Sequence, residues 1–382
     1  MQVREVPFCD DRSLLNTRTV VLNEGDPEQK RREILKSFHD AYDIEEALLQ
    51  TLTYYETFYR RADPLRHPLI FYFGHTSVFY VNKLIIAQWI DERINPAFES
   101  MFAVGVDEMS WDDLDMSHYD WPDVEEVQAY RRRVRERVDA LIRERPLTMP
   151  IDWNNPFWAI MMGIEHSRIH LETSSVLIRQ LPVDEVREHP LWTPCRRTGD
   201  APDNPMIDVE GGSVRMGKSF APPLYGWDNE VGEHEADVDP FRASRHLVSN
   251  AEFLEFVEDG GYASDDLWTE EGRGWKSYQQ AAHPRFWIPD SGSYRLRTTW
   301  EEIDMPWDWP VEVNYLEAKA FCNWRKERQG RPVRLPTEEE WMLLRDRHVD
   351  TDQPWWDRAP GNINLEHYAG SCPVTEFRFG DF

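Results

Sequence analysis

Residues 155–180 read NPFWAIMMGIEHSRIHLETSSVLIRQ. Asn155 and Pro156 are helix-start signals and no further proline follows until Pro182, so the stretch predicts one long helix to about Gln180. Each residue of an α-helix turns about 100°, so His166 and His170 stand one above the other, on a stripe with Ala159, Met162, Gly163, Thr173 and Leu177. Two imidazoles on a small and apolar face suit a metal clamp inside a helical bundle. The spacing alone is weak, because 12 histidines in 382 residues give roughly 0.4 such pairs by chance. A buried histidine is also often merely hydrogen-bonded.

A clamp needs a third donor. Glu172 lies about 200° around the helix from His170 and cannot easily supply it. His75 is the best candidate, at the start of an expected helix (75–93) whose Val78, Phe79 and Leu84 imply burial in the same core. His39, beside Asp40, competes for the role, although a solvated surface pair suits it better. Three neutral imidazoles with open positions suit Fe(II), Zn(II), Ni(II) or Cu(II), and spacing does not choose among them.

The rest of the first half also reads as helix. DPEQKRREILKSFHDAY follows the capping candidate Asp26, and residues 43–61 are expected to form a second helix. A further helix starts at Asp123, with Glu126 at capping-box distance, and carries Val124, Val127, Val134, Val138 and Leu141 as one buried stripe. These helices make an antiparallel bundle with an acidic, Trp-rich crossover at 98–122, whose Trp111, Tyr119 and Trp121 are expected to pack on the core. Residues 183–205, rich in proline and polar groups, read as a linker. After 206 come short apolar runs with many Gly, Trp and Pro residues and two clear helices, SNAEFLEFVEDGG and NYLEAKAFCNWRKERQG. RLPTEEEW adds a helix start in which Thr337 and Glu340 serve the fold rather than catalysis. The fold class is therefore α+β: a helical bundle over 1–182, then a mixed domain over 206–382.

A formal charge of -27 argues against nucleic acid or an anionic membrane as partner. No run of 18 apolar residues occurs: FYFGHTSVFYVNKLIIAQWI is broken by His75, Asn82 and Lys83. Cys9, Cys195, Cys322 and Cys372 form no CxxC pair, and MQVREVPFCDDRSLL has no signal-peptide core, so reduced thiols and a cytoplasmic location are expected. In YGWDNE, the residues Trp227, Asp228, Asn229 and Glu230 make a polar and aromatic loop suited either to binding substrate or to a structural turn.

RHPLIFYFGHTSVFYVNKL, FAVGVDEMSWDDLDMSHYDWP and EHSRIHLETS, in this order, resemble the N-terminal half of the ovothiol synthase (5-histidylcysteine sulfoxide synthase) family. VEGGSVRMGKS, YGWDNEVGEHEADVDPF, VEVNYLEAKAFCNWR and RLPTEEEW resemble its formylglycine-generating-enzyme-like, C-type-lectin-related domain. The resemblance implies a DinB-like four-helix bundle holding a non-haem Fe(II) through His75, His166 and His170. It also implies O2-dependent coupling of cysteine to the imidazole of histidine, with sulfoxidation. Ergothioneine-type synthases, the sister family, carry Gln just before the last histidine of the triad, where this chain has Ile169; that favours free histidine over trimethylated histidine. The sequence given stops at SCPVTEFRFGDF, where relatives continue with further loops and a catalytic tyrosine. No position here takes that role, and a separate polypeptide supplying the region is one expectation. The alternatives are a metal-binding but catalytically incomplete fragment and a zinc-dependent DinB-like thiol transferase.

Overall fold

Asp26 opens the first helix of the computed structural model: its carboxylate accepts from the Gln29 backbone N–H at 2.9 Å, with Pro27 in the first turn. The structure describes residues 12–16, 18–103, 119–219, 223–347, 361–363, 367–378 and 380. Helix α1 runs unbroken over Pro27–Leu49, so no second helix begins at 43. The apolar stripe of Ile34, Phe38, Ala41, Ile44 and Leu48 crosses the expected break without punctuation. The helix ends where the Thr51 hydroxyl donates to the Leu48 carbonyl at 2.6 Å, leaving only a 3-10 turn at Tyr55–Tyr59 in the rest of the segment expected to be helical.

Helix α2 spans Leu69–Ile86, earlier than expected, because Pro68 sets its entry and Gln88, with φ at 57°, stops it. By length and composition it could cross a membrane, yet 78% of it is buried inside the protein. A short α3 follows at Pro96–Met101, capped by Asn95. Helix α4 covers Val124–Glu144 from the Asp123 cap, and α5 covers Phe157–Arg179. Helices α1, α2, α4 and α5 pack on one another as the four-helix bundle, and Val124, Val127, Val134, Val138 and Leu141 are all buried as their spacing requires. Helices α2 and α5 approach closely at Gly163, where an added Cβ would stand 2.1 Å from the Tyr80 ring.

Buried beneath this packing is an ion pair. Arg131 of α4, fully enclosed, donates to the Phe73 carbonyl at 2.7 Å, to the Thr76 hydroxyl at 2.8 Å and to the Glu45 carboxylate at 3.0 Å. Its guanidinium lies 4.6 Å from the Phe73 ring centroid and 5.0 Å from that of Tyr42. Helices α1, α2 and α4 are thereby tied together at the turn of α2 that carries His75.

The chain divides into two units, Met1–Leu191 with Gly217–Glu233, and Trp192–Met216 with His234–Phe382. The stretch expected to be a linker is therefore shared out. Val186 pairs with Leu52, and Leu191 is buried, in the first unit. In the second, Thr198 and Gly199 donate to the Asp308 carboxylate at 2.7 and 3.0 Å. The physical reason is burial: Leu191 and Trp192 are too apolar for a solvated tether.

The second unit is mixed. Strands β1 (Met206–Val209) and β4 (Phe241–Ser244) pair antiparallel, as do β2 (Gly212–Met216) and β3 (His234–Val238). Strands β5 (Trp287–Asp290), β6 (Ser293–Arg297) and β7 (Glu302–Asp304) form a meander. Helices α6 (Asn250–Glu258) and α8 (Tyr315–Gln329) stand where the sequence places them. Helix α7 (Glu270–Gln279) was not expected: Gly272 and Gly274 mask it, and the Thr269 hydroxyl caps it through the Gly272 N–H at 3.1 Å. Phe253, Phe256, Trp268, Trp287, Phe321 and Trp324 form the core of this unit. Helix α9 (Glu338–Asp346) starts in the reciprocal cap of Thr337 and Glu340, and Arg334 grips Glu340 with two bonds of 2.7 Å.

Candidate metal centre

Helices α2 and α5 bring three imidazoles to one point. The Nε2 atoms of His75 and His166 are 3.2 Å apart and those of His166 and His170 are 3.1 Å apart. A metal about 2.1 Å from two cis nitrogens holds them about 3.0 to 3.4 Å apart, so the spacing fits a shared ion. One ligand atom from each residue lies within 4.8 Å of the others, and no carboxylate joins the group among the described residues. Glu172 is exposed, as its helix position requires.

The surroundings set the tautomer and the charge. His75 Nδ1–H donates to the Phe102 carbonyl at 2.7 Å, which leaves the Nε2 lone pair free to face the centre. His75 stacks on Phe71 at 5.0 Å and 18°, and His166 on Phe79 at 3.6 Å and 7°. Burial lowers the pKa of His75 to about 4 and that of His170 to about 3. His166 falls lower still, through burial first and then its two neighbouring imidazoles. Three neutral imidazoles with converging Nε2 atoms could hold a cation, and the Nδ1 atoms of His166 and His170 are buried without a partner.

His39 does not compete. It pairs with Asp139 at 2.7 Å and accepts from Arg135 at 2.9 Å between α1 and α4. Tyr119 and Trp121 stack on each other at 4.6 Å and 7° and lean on His67, while Trp121 also stacks on Phe102; this is core packing, and Trp111 lies outside the described residues. The residues Trp227, Asp228, Asn229 and Glu230 belong to the helical unit as a 3-10 turn. Its last three residues are exposed, and Glu230 is committed to the Trp227 N–H at 2.8 Å and to Lys218 at 3.1 Å. Tyr225, just before the turn, packs on Trp158 of α5 at 4.8 Å.

A cavity of about 520 Å³ opens beside His75, lined by Phe79, Asn82, Lys83, Arg93 and Glu99 among others. Phe102 contributes a backbone carbonyl, which leaves no mark in the sequence; Lys83, another lining residue, lies about 80° around α2 from His75.

A four-helix bundle that turns three neutral imidazoles onto one point, followed by a small-sheet aromatic domain, defines a two-part protein with a candidate metal centre in its first part. Residues 37–174 match the DinB superfamily, and residues 195–354 match the sulfatase-modifying factor enzyme 1-like domain. The chain is 30% identical over 292 residues to hercynine oxygenase of Mycolicibacterium smegmatis, covering 74% of this chain and 62% of that one. It is likewise 30% identical over 314 residues to hercynine oxygenase of Mycolicibacterium thermoresistibile, covering 79% and 64%. It is 23% identical over 329 residues to ergothioneine biosynthesis protein 1 of Schizosaccharomyces pombe, covering 76% and 39%. In its two domains and their order the chain is similar to the ergothioneine-type sulfoxide synthases that these relatives represent. It spans less than two thirds of the length of each of these relatives.

Proposed function

We propose that the protein joins cysteine to the imidazole ring of histidine at an iron(II) held by His75, His166 and His170. The thiol, the ring C–H and O2 become a C–S bond, a sulfoxide oxygen and one water. The observation that supports this most is the convergence of three neutral Nε2 donors with no carboxylate among them. Such a set leaves the full 2+ charge of iron to attract a thiolate while keeping positions open for substrate and O2. What bound iron supplies is redox chemistry with O2; the protein's part is to hold the donors and to orient two amino acids.

Free histidine is the proposed acceptor because Ile169, which is 44% exposed on α5, stands where the ergothioneine-type synthases carry Gln. The names of the relatives favour a second reading, in which the acceptor is trimethylated histidine. The test is oxygen uptake by the iron-loaded chain with cysteine plus either acceptor, with product mass measured and His170→Ala as control. Uptake with histidine and a cysteine–histidine sulfoxide, both absent in the control, supports the first reading. Uptake with trimethylated histidine alone supports the second. Iron bound without uptake would refute activity for these 382 residues.

A further inference from the structure

Lys83 lines the cavity beside His75 and, among the described residues, has no acidic partner; its ammonium lies over the Phe79 ring. Arg93, which lines the same cavity, is occupied: it bonds the Asn82 side-chain oxygen at 2.7 Å and pairs with Glu99 at 3.1 Å. Glu99 in turn caps the Ile94 and Asn95 N–H groups at 2.8 and 2.9 Å, which makes the Arg93 pair part of a loop scaffold. No carboxylate among the described residues lies within ion-pair distance of the Lys83 ammonium, although acidic residues outnumber basic ones 70 to 43 in this chain.

The position of that ammonium relative to the three imidazoles is fixed by one ring. It lies 5.1 Å from the centroid of Phe79, and Phe79 stacks face to face on His166 with 3.6 Å between centroids. A helical side chain leans toward the N-terminus of its helix, so Lys83 reaches back along α2 toward His75 rather than out past Ile86. Helix-dipole complementarity in the last turn of α2 would be served equally by a lysine turned to solvent, and so does not account for a half-buried ammonium in a cavity.

A thiolate amino acid bound through sulfur at about 2.3 Å carries its carboxylate roughly 5 to 6 Å from the ion, and a charged hydrogen bond adds roughly 2.8 Å. Between the donor His166 and the Lys83 ammonium stands the single Phe79 ring, in contact with both. We propose that Lys83 anchors the carboxylate of the thiol-bearing α-amino acid, with Phe79 as the wall along which the substrate lies. The inference rests on the reading of the centre as one that takes an amino-acid thiol. It makes Lys83 a specificity residue, separating carboxylate-bearing thiols from simple aminothiols.

The experiment uses the full chain loaded with one equivalent of Co(II), titrated with L-cysteine and with cysteamine, which lacks the carboxylate, while the near-ultraviolet sulfur-to-cobalt band is followed. The unaltered protein is expected to bind cysteine about 10- to 100-fold more tightly than cysteamine, the worth of one charge-assisted hydrogen bond. Lys83→Met should abolish that ratio while leaving Co(II) stoichiometry and cysteamine binding unchanged, and Lys83→Arg should restore part of it. An unchanged ratio in Lys83→Met overturns the anchor and leaves the thiol site standing. Co(II) loading with no sulfur band from either thiol overturns the thiol-at-metal reading and the anchor with it.

Discussion

His75 and Phe102 are joined twice over: the imidazole Nδ1–H donates to the Phe102 carbonyl at 2.7 Å, and Gly74, beside His75, leaves room for the Phe102 ring. A Cβ at position 74 would stand 2.6 Å from that ring. Gly74→Ala should therefore push Phe102 aside and release the imidazole's orientation. Outer partners of ligating histidines are worth about 10- to 100-fold in metal affinity, and that loss is expected by competition titration with Zn(II). Wild-type affinity in this variant would show that the Phe102 bond does not orient His75.

Gly163 sets the distance between the two helices that carry the donors. A methyl there collides with Tyr80, so Gly163→Ala should destabilise the protein by about 1 to 3 kcal/mol in urea. Adding Tyr80→Leu should recover at least half of the loss, since the ring is what the methyl meets. No recovery would place the strain elsewhere.

Removing one partner of the enclosed ion pair is costlier than removing both. Arg131→Met strands Glu45 and should cost about 3 to 5 kcal/mol, whereas Glu45→Leu with Arg131→Met should cost far less or stabilise. Denaturant midpoints of the metal-free chain compare the two. A double variant as unstable as the single one would mean that packing, not charge, dominates there.

His189 gives stability a pH dependence. Leu191 N–H donates to its Nδ1 at 3.1 Å and its Nε2 meets Gln50 Oε1 at 3.2 Å, an arrangement that needs the neutral ring. Burial first, and then Arg187, lower its pKa to about 4. The unfolded chain protonates near pH 6.5, so His189 makes no difference above that value and costs stability as the pH falls toward 4. Unfolding midpoints of the metal-free chain between pH 8 and 4.5 should decline less steeply in His189→Asn. Equal slopes would exclude this residue as a source.

His39 and His75 separate in a metal titration. His39→Asn should leave affinity within about twofold, while His75→Ala, His166→Ala and His170→Ala each lose most of it. A large loss in His39→Asn would reinstate it as a contributor.

His166 and His170 were legible as neighbours because they fall one turn apart on α5, whereas α2 is buried on every side from Leu69 to Val81, so period alone does not say which way His75 points. The break expected at Asp43 was misread because a charged residue on a helix's outer face looks like punctuation, while Asp43 instead pairs across to Arg135 at 2.6 Å. Arg131 had a usable signal: it falls between Val127 and Val134 on the buried stripe, where a charge implies an enclosed partner. The Phe102 carbonyl had none, since any residue supplies one. Nor could local pattern show that residues 217–233 join the helices, because that is decided by packing at long range.

The first unit is discontinuous: part of it lies between β2 and β3, strands of the second. A ribosome that has released only residues through 191 has not yet exposed Tyr225, the ring that packs on Trp158, or Pro223, whose carbonyl receives the Leu22 N–H at 2.6 Å. The helices can collect early, as local contacts do, but their unit closes only after β2 has emerged and residue 233 has followed it. Cutting the gene between the two halves would therefore not yield two self-sufficient pieces: the helical piece would leave its own last segment attached to the other.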